Sequence, residues 1–436
     1  MNAKILPRIA IVLLLALIVC CTSPHPAQIV RPAGYITLTY WSATNAQELE
    51  FANRVAAEWN AQHSEVQIKV EPVPSGQSSE EVILAAIAGQ TTPDIYSSVN
   101  PAAMQDLLDA DGVVQLDAYP DFFDVLHGRM PPDLLNQYRS SDQHFYQVPW
   151  KSNPVMVLYN TGMLRKAGVS TLPATYSEFL AAAARVTRDS DGDGRTDQWM
   201  ATIDYFPIWY KRLYDYLPLY LAATNGQSLL QGRRVMFDNE SSVAIFRFLH
   251  ECFARGYVPR QTFQGDVFLD GRVAAKFTGP YSISQLERYA AADFEYDYGP
   301  IPRPDDATGQ MVSFADSKSI VIFKSCQAPR DAWEFIKFAI SKRNDLRLLE
   351  LTSQVPIRAG LLEDAEFADY FKRNPKMNKF AEQVTTARSI DSVAELKEIF
   401  DAIAQEVEAS VVFDLKSPEQ AVHDAARRSQ QILDAE

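Results

Sequence analysis

Four aspartates lie close together in the middle of the chain, in the stretch DSDGDGRTDQW that covers residues 189–199. Counted from Asp189, they take ligand positions 1, 3, 5 and 9 of an EF-hand calcium loop, and Gly194 takes position 6, where the sharp turn requires glycine. The groups expected to bind the ion are the carboxylates of Asp189, Asp191, Asp193 and Asp197 and the carbonyl of Arg195. Position 12 should be a bidentate Glu, but Met200 stands there and cannot bind calcium.

This acidic loop is expected to hold a structural calcium ion rather than to act as a sensor. Carboxylates this close together repel one another unless a cation neutralises them. The sequence contains no second loop of the same pattern, and the flanking segments do not form a paired helix unit. The alternative is a solvated acidic turn whose aspartates cap the preceding helix. No other cofactor is expected.

The first part of the chain has the pattern of an export signal followed by a linker. A positively charged start precedes an apolar run over 9–19, which is too short for a membrane-spanning helix of about 20 residues. Cys20 and Cys21 end the run, as in bacterial lipoprotein signals. This similarity implies a signal peptide over 1–20, lipid on the Cys21 thiol and a Pro-rich tether over 21–34. The alternatives are a cleaved secretion signal with incidental cysteines and a retained anchor.

Length, charge and cysteine content narrow the class of protein. The chain has 436 residues and a formal net charge of −14, which argues against nucleic acid as a partner. The body from about Tyr35 onward is too long for one hydrophobic core and predicts two domains. Its two cysteines, Cys252 and Cys326, are expected to be buried free thiols, with a disulfide as the alternative.

The body opens with a β-α-β-α-β pattern. Strand signals cover 35–42, 66–73 and the short segment PDIYSSV, and amphipathic helices lie between them. This order predicts a doubly wound sheet with crossover helices. Because ligands of such sheets bind at the carboxyl ends of the strands, Trp41, Ser42, Tyr96 and Asn100 are expected near a cleft.

A second α/β pattern follows in the middle of the chain. Residues 155–160 form a strand signal, and Thr175 with Glu178 has the capping-box spacing at the start of a helix. A late strand covers 317–323, and the chain is helical from Pro329 onward. The predicted fold class is therefore α/β, with two domains.

Six short motifs occur in a defined order along the chain. YWS and AGQTTPDIY come first, followed by YQVPWKSNPVMVLYNTGMLRKAGVSTLPATYSEF and then by VAAKFTGPYSI, YDYGPIPRP and DAWEFIKFAIS. Together they resemble the extracellular solute-binding proteins of ABC importers, specifically the carbohydrate-binding, maltose-binding-protein-like group. The resemblance covers most of the chain. It implies a two-lobed periplasmic-binding-protein-like fold of type II, in which each lobe is a doubly wound sheet flanked by helices and a hinge joins the lobes.

Such a fold implies that the chain crosses between the lobes three times. The crossings are expected at about 151–155, 272–277 and 322–328. The expected lobes are an N-terminal lobe of 35–150 plus 277–322 and a C-terminal lobe of 156–272 plus 328–436. Ligand would bind in the cleft between the lobes, which close by a hinge motion.

The resemblance also implies a sugar site in this cleft. Aromatic rings stack on the apolar faces of sugars, and polar side chains bond the hydroxyl groups. The aromatic side chains expected to contact the ligand are Trp41, Trp150, Trp209 and Tyr281. The polar side chains expected there are Ser42, Asn100, Lys151 and Asp316. The alternatives are packing in the lobe cores for the aromatic residues and a solvated cleft rim for the polar ones.

One position departs from the pattern of the family. The family commonly has Trp after the Gly-Pro turn, and this chain has Tyr281 there. The aromatic platform is therefore expected to be smaller, with a hydroxyl group that can bond a sugar edge.

The function implied is that of a lipid-anchored, monomeric extracytoplasmic protein that hands a sugar or oligosaccharide to ABC importer permease subunits. Its location would be the periplasm or the cell surface. One alternative is a polyol or a glycerol phosphate or glycerophosphodiester ligand, for which Lys151 would face the anion. A remote alternative is a secreted glycosidase. The sequence contains no Gly-x-Ser-x-Gly, His-Glu-x-x-His or P-loop motif, so an enzyme is not expected.

Overall fold

A computed structural model describes residues 35–435 apart from 77, 385 and 392. The expected signal peptide, the Cys21 lipidation site and the tether to residue 34 lie outside the described residues. Among the residues that are described, no helix combines the length and the apolar character that a membrane span requires.

The described chain alternates between strands and helices. The strands are β1 (Ile36–Ser42), β2 (Val66–Pro72), β3 (Ile95–Val99), β4 (Val148–Pro154), β5 (Met156–Asn160), β6 (Trp199–Ala201), β7 (Leu230–Gln231), β8 (Arg234–Val235), β9 (Val273–Thr278), β10 (Tyr296–Gly299) and β11 (Ala315–Ile322). The helices of the first half are α1 (Ala46–Gln62), α2 (Ser79–Ala88), α3 (Met104–Asp109), α4 (Phe122–His127), α5 (Pro132–Asn136), α6 (Thr161–Lys166), α7 (Tyr176–Val186) and α8 (Tyr216–Ala223).

The second half is mostly helical. Its helices are α9 (Glu240–Ala254), α10 (Tyr281–Tyr289), α11 (Pro329–Ala339), α12 (Lys342–Thr352), α13 (Ala365–Arg373), α14 (Pro375–Ala381), α15 (Leu396–Glu406) and α16 (Pro418–Asp434). Short 3-10 helices cover Pro101–Ala103 and Trp209–Leu213, and a π-helix covers Val407–Val412. The capping box expected at Thr175 and Glu178 is present at the start of α7.

The larger strands form two mixed sheets. The first has the order β2-β1-β3-β11-β4, and the second has the order β10-β5-β9-β6. In the first sheet β11 runs antiparallel to both of its neighbours, and in the second β5 does so. The remaining strands of each sheet are parallel to one another, so each sheet contains one reversed strand.

Helices cover both faces of each sheet. The first sheet packs against α1, α11 and α12 around Trp59 and Trp333 on one face, and against α2 and α3 around Ile83 and Leu107 on the other. The second sheet is enclosed by two further apolar clusters, which contain α7, α8, α9, α15 and α16 on one side and α10, α13 and α14 on the other. The predicted α/β, two-lobed architecture is thus confirmed. We call the body around the first sheet lobe one and the body around the second lobe two.

The structure corrects the expected boundaries of the lobes. The chain first passes from lobe one to lobe two at Val155, between β4 and β5. The segment 277–314 was expected in the N-terminal lobe, but β9 and β10 both pair with β5 of lobe two. The second passage therefore lies at 300–314, after β10, and not at 272–277.

The third passage also differs from the prediction. Helices α11 and α12 were expected in the C-terminal lobe, but α11 and Leu348 of α12 pack in the core of lobe one, while Leu349 of α12 contacts the apolar cluster of lobe two. The chain returns to lobe two only after α12, where Ser152 donates to Val355 and Ile357 donates to Trp150. This return segment, 353–357, therefore runs beside β4 and takes the place of the expected crossing at 322–328.

The two cysteines of the body are unpaired. Cys252 lies buried in α9 of lobe two, and Cys326 lies buried after β11 in lobe one. Burial raises the pKa of both thiols, so they remain protonated and unreactive. The prediction of two buried free thiols is confirmed.

Candidate functional site

Two neighbouring cavities meet at the side chain of Tyr281. The first has a volume of about 540 Å³ and contains the aromatic rings of Tyr205, Phe206, Tyr214, Phe263 and Phe277. The second has a volume of about 430 Å³ and contains the amide side chains of Asn45, Gln47, Asn153, Gln285 and Gln354. Both lie in the range of about 300–1,000 Å³ that is typical of small-molecule sites. We call them the aromatic compartment and the amide compartment.

The amide compartment lies between the two lobes. Asn45 and Glu48 come from the start of α1 in lobe one, whereas Tyr281 and Ser284 come from α10 in lobe two. The Ser284 hydroxyl donates to the carbonyl of Thr352 at 3.3 Å, so the lobes are in direct contact at its edge. A ligand in this compartment would therefore touch both lobes.

Tyr281 is placed by the Gly-Pro turn that precedes α10. A Cβ atom at Gly279 would come within 2.6 Å of the Tyr281 ring, so the ring can fold back over the turn only because residue 279 is glycine. Burial raises the pKa of the Tyr281 hydroxyl, which stays protonated and able to donate a hydrogen bond. The side chain lines both compartments, as expected for an aromatic platform.

Asp316 links the lobes on the floor of the cleft. It lies on β11 of lobe one, where Oδ1 accepts from Lys318 at 2.7 Å and Oδ2 accepts from the Tyr214 hydroxyl of lobe two at 2.9 Å. Burial and the Asp316 charge raise the pKa of Tyr214 well above its usual range, so this hydroxyl stays a donor. The carboxylate keeps further acceptor capacity for ligand hydroxyl groups.

Glu48 is the centre of a second polar network in the amide compartment. Its Oε1 accepts from Gln354 at 2.7 Å and from Asn45 at 3.0 Å. Its Oε2 accepts from Lys151, which is fully buried, and from Ser98 at 3.5 Å. Asn45 also caps α1 by accepting the Glu48 amide N–H at 2.9 Å, which fixes the carboxylate at the start of the helix.

The lysines that line the two compartments are already paired with carboxylates. The pairs are Lys211 with Asp204 at 2.9 Å, Lys276 with Asp266 at 3.3 Å, and Lys318 with Asp316 at 2.7 Å. Beside them, Asp215 of the aromatic compartment pairs with the buried Arg212 at 2.8 Å. Burial raises the pKa of Asp215 to about 6, although Arg212 opposes the rise. The cleft is therefore polar but close to locally neutral.

The structure brings two of the predicted ligand residues into the cleft, Tyr281 and Asp316. Lys151 lies one layer behind it, with no exposed surface, and reaches the compartment only through Glu48. The prediction of Lys151 as a direct ligand contact therefore needs correction, since the side chain acts on the cleft indirectly.

Two predicted tryptophans belong to the core of lobe one instead. Trp41 is 8% exposed and packs with the apolar cluster between the first sheet and α2. Trp150 is 2% exposed and its ring packs against Phe51, with 5.7 Å between ring centroids. Trp41 lies near the end of β1 as expected, whereas Trp150 lies inside β4, and both side chains point into the helical layers rather than into the cleft. Neither lines a compartment.

The other three predicted residues line neither compartment and have structural partners instead. The Ser42 hydroxyl donates to the Glu48 carbonyl at 3.4 Å, and the Asn100 side chain accepts the Ala102 N–H at 3.1 Å as a helix cap. Trp209 packs against the apolar cluster of lobe two, and its ring meets Tyr210 edge-on. The residues that line the cleft in their place were not singled out from the sequence, and they are chiefly Glu48, Tyr214, Asn153 and Gln354.

The acidic loop in lobe two has part of the expected calcium geometry. Carboxylate oxygens of Asp189, Asp191 and Asp193 lie within 4.8 Å of one another. Asp197 accepts from the backbone and hydroxyl of Ser190 at 2.8 and 2.6 Å and is not part of this group. Met200 is fully buried in the core, so position 12 offers no ligand. Calcium binding stays a prediction, with three carboxylates as its candidates.

The chain resembles known binding proteins in both sequence and fold. Residues 54–378 match the family described as bacterial extracellular solute-binding protein. A binding protein of Brucella abortus is 21% identical and covers 92% of this chain and 94% of its own length. The sn-glycerol-3-phosphate-binding periplasmic protein of Brucella melitensis is 22% identical and covers 78% of each chain. A solved structure of the cyclic alpha-maltosyl-1,6-maltose binding protein of Arthrobacter globiformis is 18% identical, with a TM-score of 0.76 over 92% of this chain and all of that chain.

Proposed function

Because the chain belongs to the bacterial extracellular solute-binding proteins, we propose that it captures a sugar or oligosaccharide in the interlobe cleft and delivers it to an ABC importer permease. The observation that carries this proposal is the cleft itself, where a tyrosine platform joins an aromatic compartment to an amide compartment. Rings of this kind stack on sugar faces, and amides and carboxylates bond hydroxyl groups.

Glycerol phosphate is the second candidate ligand, since a relative of Brucella melitensis carries that specificity in its name. The lysines of the cleft would be the natural partners of a phosphate. Each of them, however, already has a carboxylate partner among the described residues. A phosphate dianion would have to compete with these carboxylates for the lysines and would be repelled by their negative charge. The geometry therefore supports a neutral, hydroxyl-rich ligand more strongly.

We propose that the protein binds and releases its ligand without chemical turnover. A glycosidase needs two carboxyl groups, one of which acts as an acid with a raised pKa. In the amide compartment, the carboxylates of Glu48 and Asp316 are both paired with lysines. Burial alone would raise the pKa of Glu48, but Lys151 and the hydrogen bonds outweigh it and hold this pKa below its usual value. This pairing suits hydrogen-bond acceptors rather than acid catalysts. In the aromatic compartment Asp215 has a raised pKa, but it is buried in an ion pair with Arg212.

The location and the assembly are part of the same proposal. The protein would work outside the cytoplasm as a monomer, held at the membrane by lipid on Cys21, in the periplasm or at the cell surface. The support is the family match together with the cysteine at the end of the apolar leader. Lobe one and lobe two, joined by the three passages described above, would close on the ligand by a hinge motion.

The proposal is tested with a ligand panel. Thermal shift and isothermal titration would compare neutral sugars, such as maltose and maltotriose, with polyols and with sn-glycerol 3-phosphate. A bound ligand raises the melting temperature by mass action, so a sugar should raise it and the phosphoester should not. A shift with the phosphoester alone would favour the second candidate. Cleavage of any glycoside in the panel would contradict the proposal of a protein without turnover.

A further inference from the structure

The most constrained group in the cleft is the carboxylate of Glu48. It is 6% exposed and receives four hydrogen bonds, two on each oxygen. An ionised carboxylate has about four acceptor positions, so Glu48 is saturated by the protein itself. It therefore acts on a ligand through its neighbours, and the neighbours that reach the amide compartment are Asn45 and Gln354.

Lys151 is the charged partner of this carboxylate. It is fully buried on β4, where it pairs with Glu48, and its ammonium lies 4.4 Å from the centre of the Trp150 ring. Without Lys151, burial would favour the protonated form of Glu48. With it, the pKa of Glu48 stays below its usual value, so the carboxylate is ionised over the neutral range.

The other titratable groups around Glu48 and Lys151 are either neutral or paired elsewhere. Tyr40 and Tyr96 face Glu48, and burial raises the pKa of both hydroxyls, so they stay neutral. Lys318 lies opposite Lys151 in the register of β11 and β4, but it pairs with Asp316. The ionic partner of Glu48 is therefore Lys151.

An ionised carboxylate accepts hydrogen bonds and cannot donate them, and this fixes the direction of the amides beyond it. Gln354 must turn its NH₂ group toward Glu48, which it does at 2.7 Å. Its carbonyl oxygen then faces away and accepts from the NH₂ group of Asn153 at 2.9 Å. The chain of donors thus runs in one direction, from Asn153 through Gln354 to Glu48.

The side-chain amides of Asn153 and Gln354 lie on two of the segments that join the lobes. Asn153 lies at the end of β4, just before the passage at Val155, and Gln354 lies in the return segment 353–357. Both side chains line the amide compartment. Each NH₂ group has two N–H bonds and uses one within the network, which leaves the other for a ligand.

We propose that Glu48, paired with Lys151, is a positioning residue that orients Gln354 and Asn153 so that both present N–H donors to the ligand from the segments joining the lobes. The groups recognised would be acceptor oxygens of a neutral ligand, such as the ring and glycosidic oxygens of a glycoside. This inference rests on the proposed function for the ligand, but the orientation of the amides does not depend on any ligand. A ligand held by these donors would contact the joining segments directly and so favour one relative position of the lobes.

The test is NMR of side-chain amides in the ligand-free protein. The NH₂ signals of Gln354 and Asn153 would be assigned from their loss in Gln354→Met and Asn153→Leu. In the native protein both signals should stay in place between about pH 5 and pH 8, because Glu48 remains ionised. In Lys151→Met the pKa of Glu48 should rise, so that both signals shift together in one titration within this range. Lys151→Arg should restore the native, pH-independent signals.

The matched control is Lys324→Met, which removes a lysine from an exposed pair with Asp111 and should leave both signals unchanged. If Lys151→Met does not fold, Glu48→Gln replaces it, and both signals should move to new positions that no longer depend on pH. Signals that keep their native positions in either variant would overturn the inference, as would a shift of Gln354 without Asn153. Since no ligand is present, this failure is separate from a negative ligand panel, which would count against the proposed function alone.

Discussion

Tyr281 is the side chain that both compartments share, and it should carry a large part of the binding free energy. Removing its ring in Tyr281→Ala should weaken sugar binding by about tenfold or more, which corresponds to about 1.4 kcal/mol. Tyr281→Phe keeps the ring and should cost less. Isothermal titration with the best sugar of the panel measures both, with Tyr35→Ala as the control because Tyr35 is 70% exposed and lines neither compartment. Equal affinities for native protein and Tyr281→Ala would remove the platform role.

Trp150 separates what the sequence predicts from what the structure shows. The ligand contact expected from the sequence implies that Trp150→Ala would weaken binding by over tenfold while folding stays cooperative. The structure places the ring in the core of lobe one, where truncation should cost about 3–5 kcal/mol of the free energy of unfolding. Urea unfolding and titration of the folded variant distinguish the two. A stable variant with weakened binding would contradict the structural assignment.

Asp215 should make stability depend on pH in an unusual direction. Burial raises its folded-state pKa to about 6, above the ordinary value of 3.8, so the native state binds the proton more tightly than the unfolded state does. The stabilisation by this proton is present at low pH and is lost as pH rises toward and past 6, by up to about 3 kcal/mol. Thermal unfolding between about pH 4 and pH 7 should therefore show a pH-dependent difference between native protein and Asp215→Asn. A difference that stays constant would contradict the assignment.

The residues of the site could be predicted only in part, for a physical reason. Tyr281 was predictable because a Gly-Pro turn and a following aromatic residue form a local pattern. Glu48 was not, because within α1 it reads as an ordinary acidic residue in a first turn, next to the cap Asn45. Its partner Gln354 lies 306 positions away, and the pairing depends on how the return segment packs beside β4. Contacts between residues so far apart in the sequence cannot be inferred from the local spacing of residue types.

At the scale of elements, periodicity and caps predicted the helices and strands but not their partners. The capping box of α7 is present where the spacing of Thr175 and Glu178 indicates it. The placement of α12 in lobe one depends instead on buried long-range contacts. Asp345 of this helix pairs with Arg129 at 2.6 Å and with Arg358 at 2.7 Å. The pair with Arg129 ties α12 to lobe one, and it cannot be inferred from the amphipathic pattern of the helix.

The acidic loop after α7 can be tested for calcium binding by its effect on stability. If it binds calcium, millimolar calcium should raise the melting temperature of chelated protein by mass action. Asp193→Asn should abolish the effect, because Asp193 is one of the three grouped carboxylates. Asp197→Asn should weaken it less, since that carboxylate is engaged by Ser190. Titration without heat and without a melting shift would leave the loop as a solvated acidic turn.

For the whole molecule, the three passages between the lobes explain how a small ligand could act on a large motion. The passage at Val155 lies beside the second passage, where the Phe314 carbonyl accepts the Val155 N–H at 2.9 Å. The return segment lies beside β4, where the Val355 carbonyl accepts the Ser152 N–H at 2.9 Å. The lobes also meet outside these passages, where Lys397 of α15 pairs with Glu81 of α2 at 3.6 Å. Because such an exposed pair contributes at most about 1 kcal/mol, the balance between open and closed forms would depend mainly on contacts in the cleft, where Tyr214 bonds Asp316 across the lobes and a ligand would add its own contacts.

The division of the cleft makes a prediction about ligand length. The two compartments, of about 540 and 430 Å³, lie on either side of Tyr281, and one sugar ring can fill only part of either. A longer chain would stack in the aromatic compartment, pass over Tyr281 and bond the amides. Affinity should therefore increase from monosaccharide to disaccharide and level off at about three or four rings, once both compartments are occupied. Isothermal titration along a malto-oligosaccharide series measures this increase, with Tyr281→Ala expected to flatten it. A monosaccharide that binds as tightly as a trisaccharide would show that only one compartment takes part in binding.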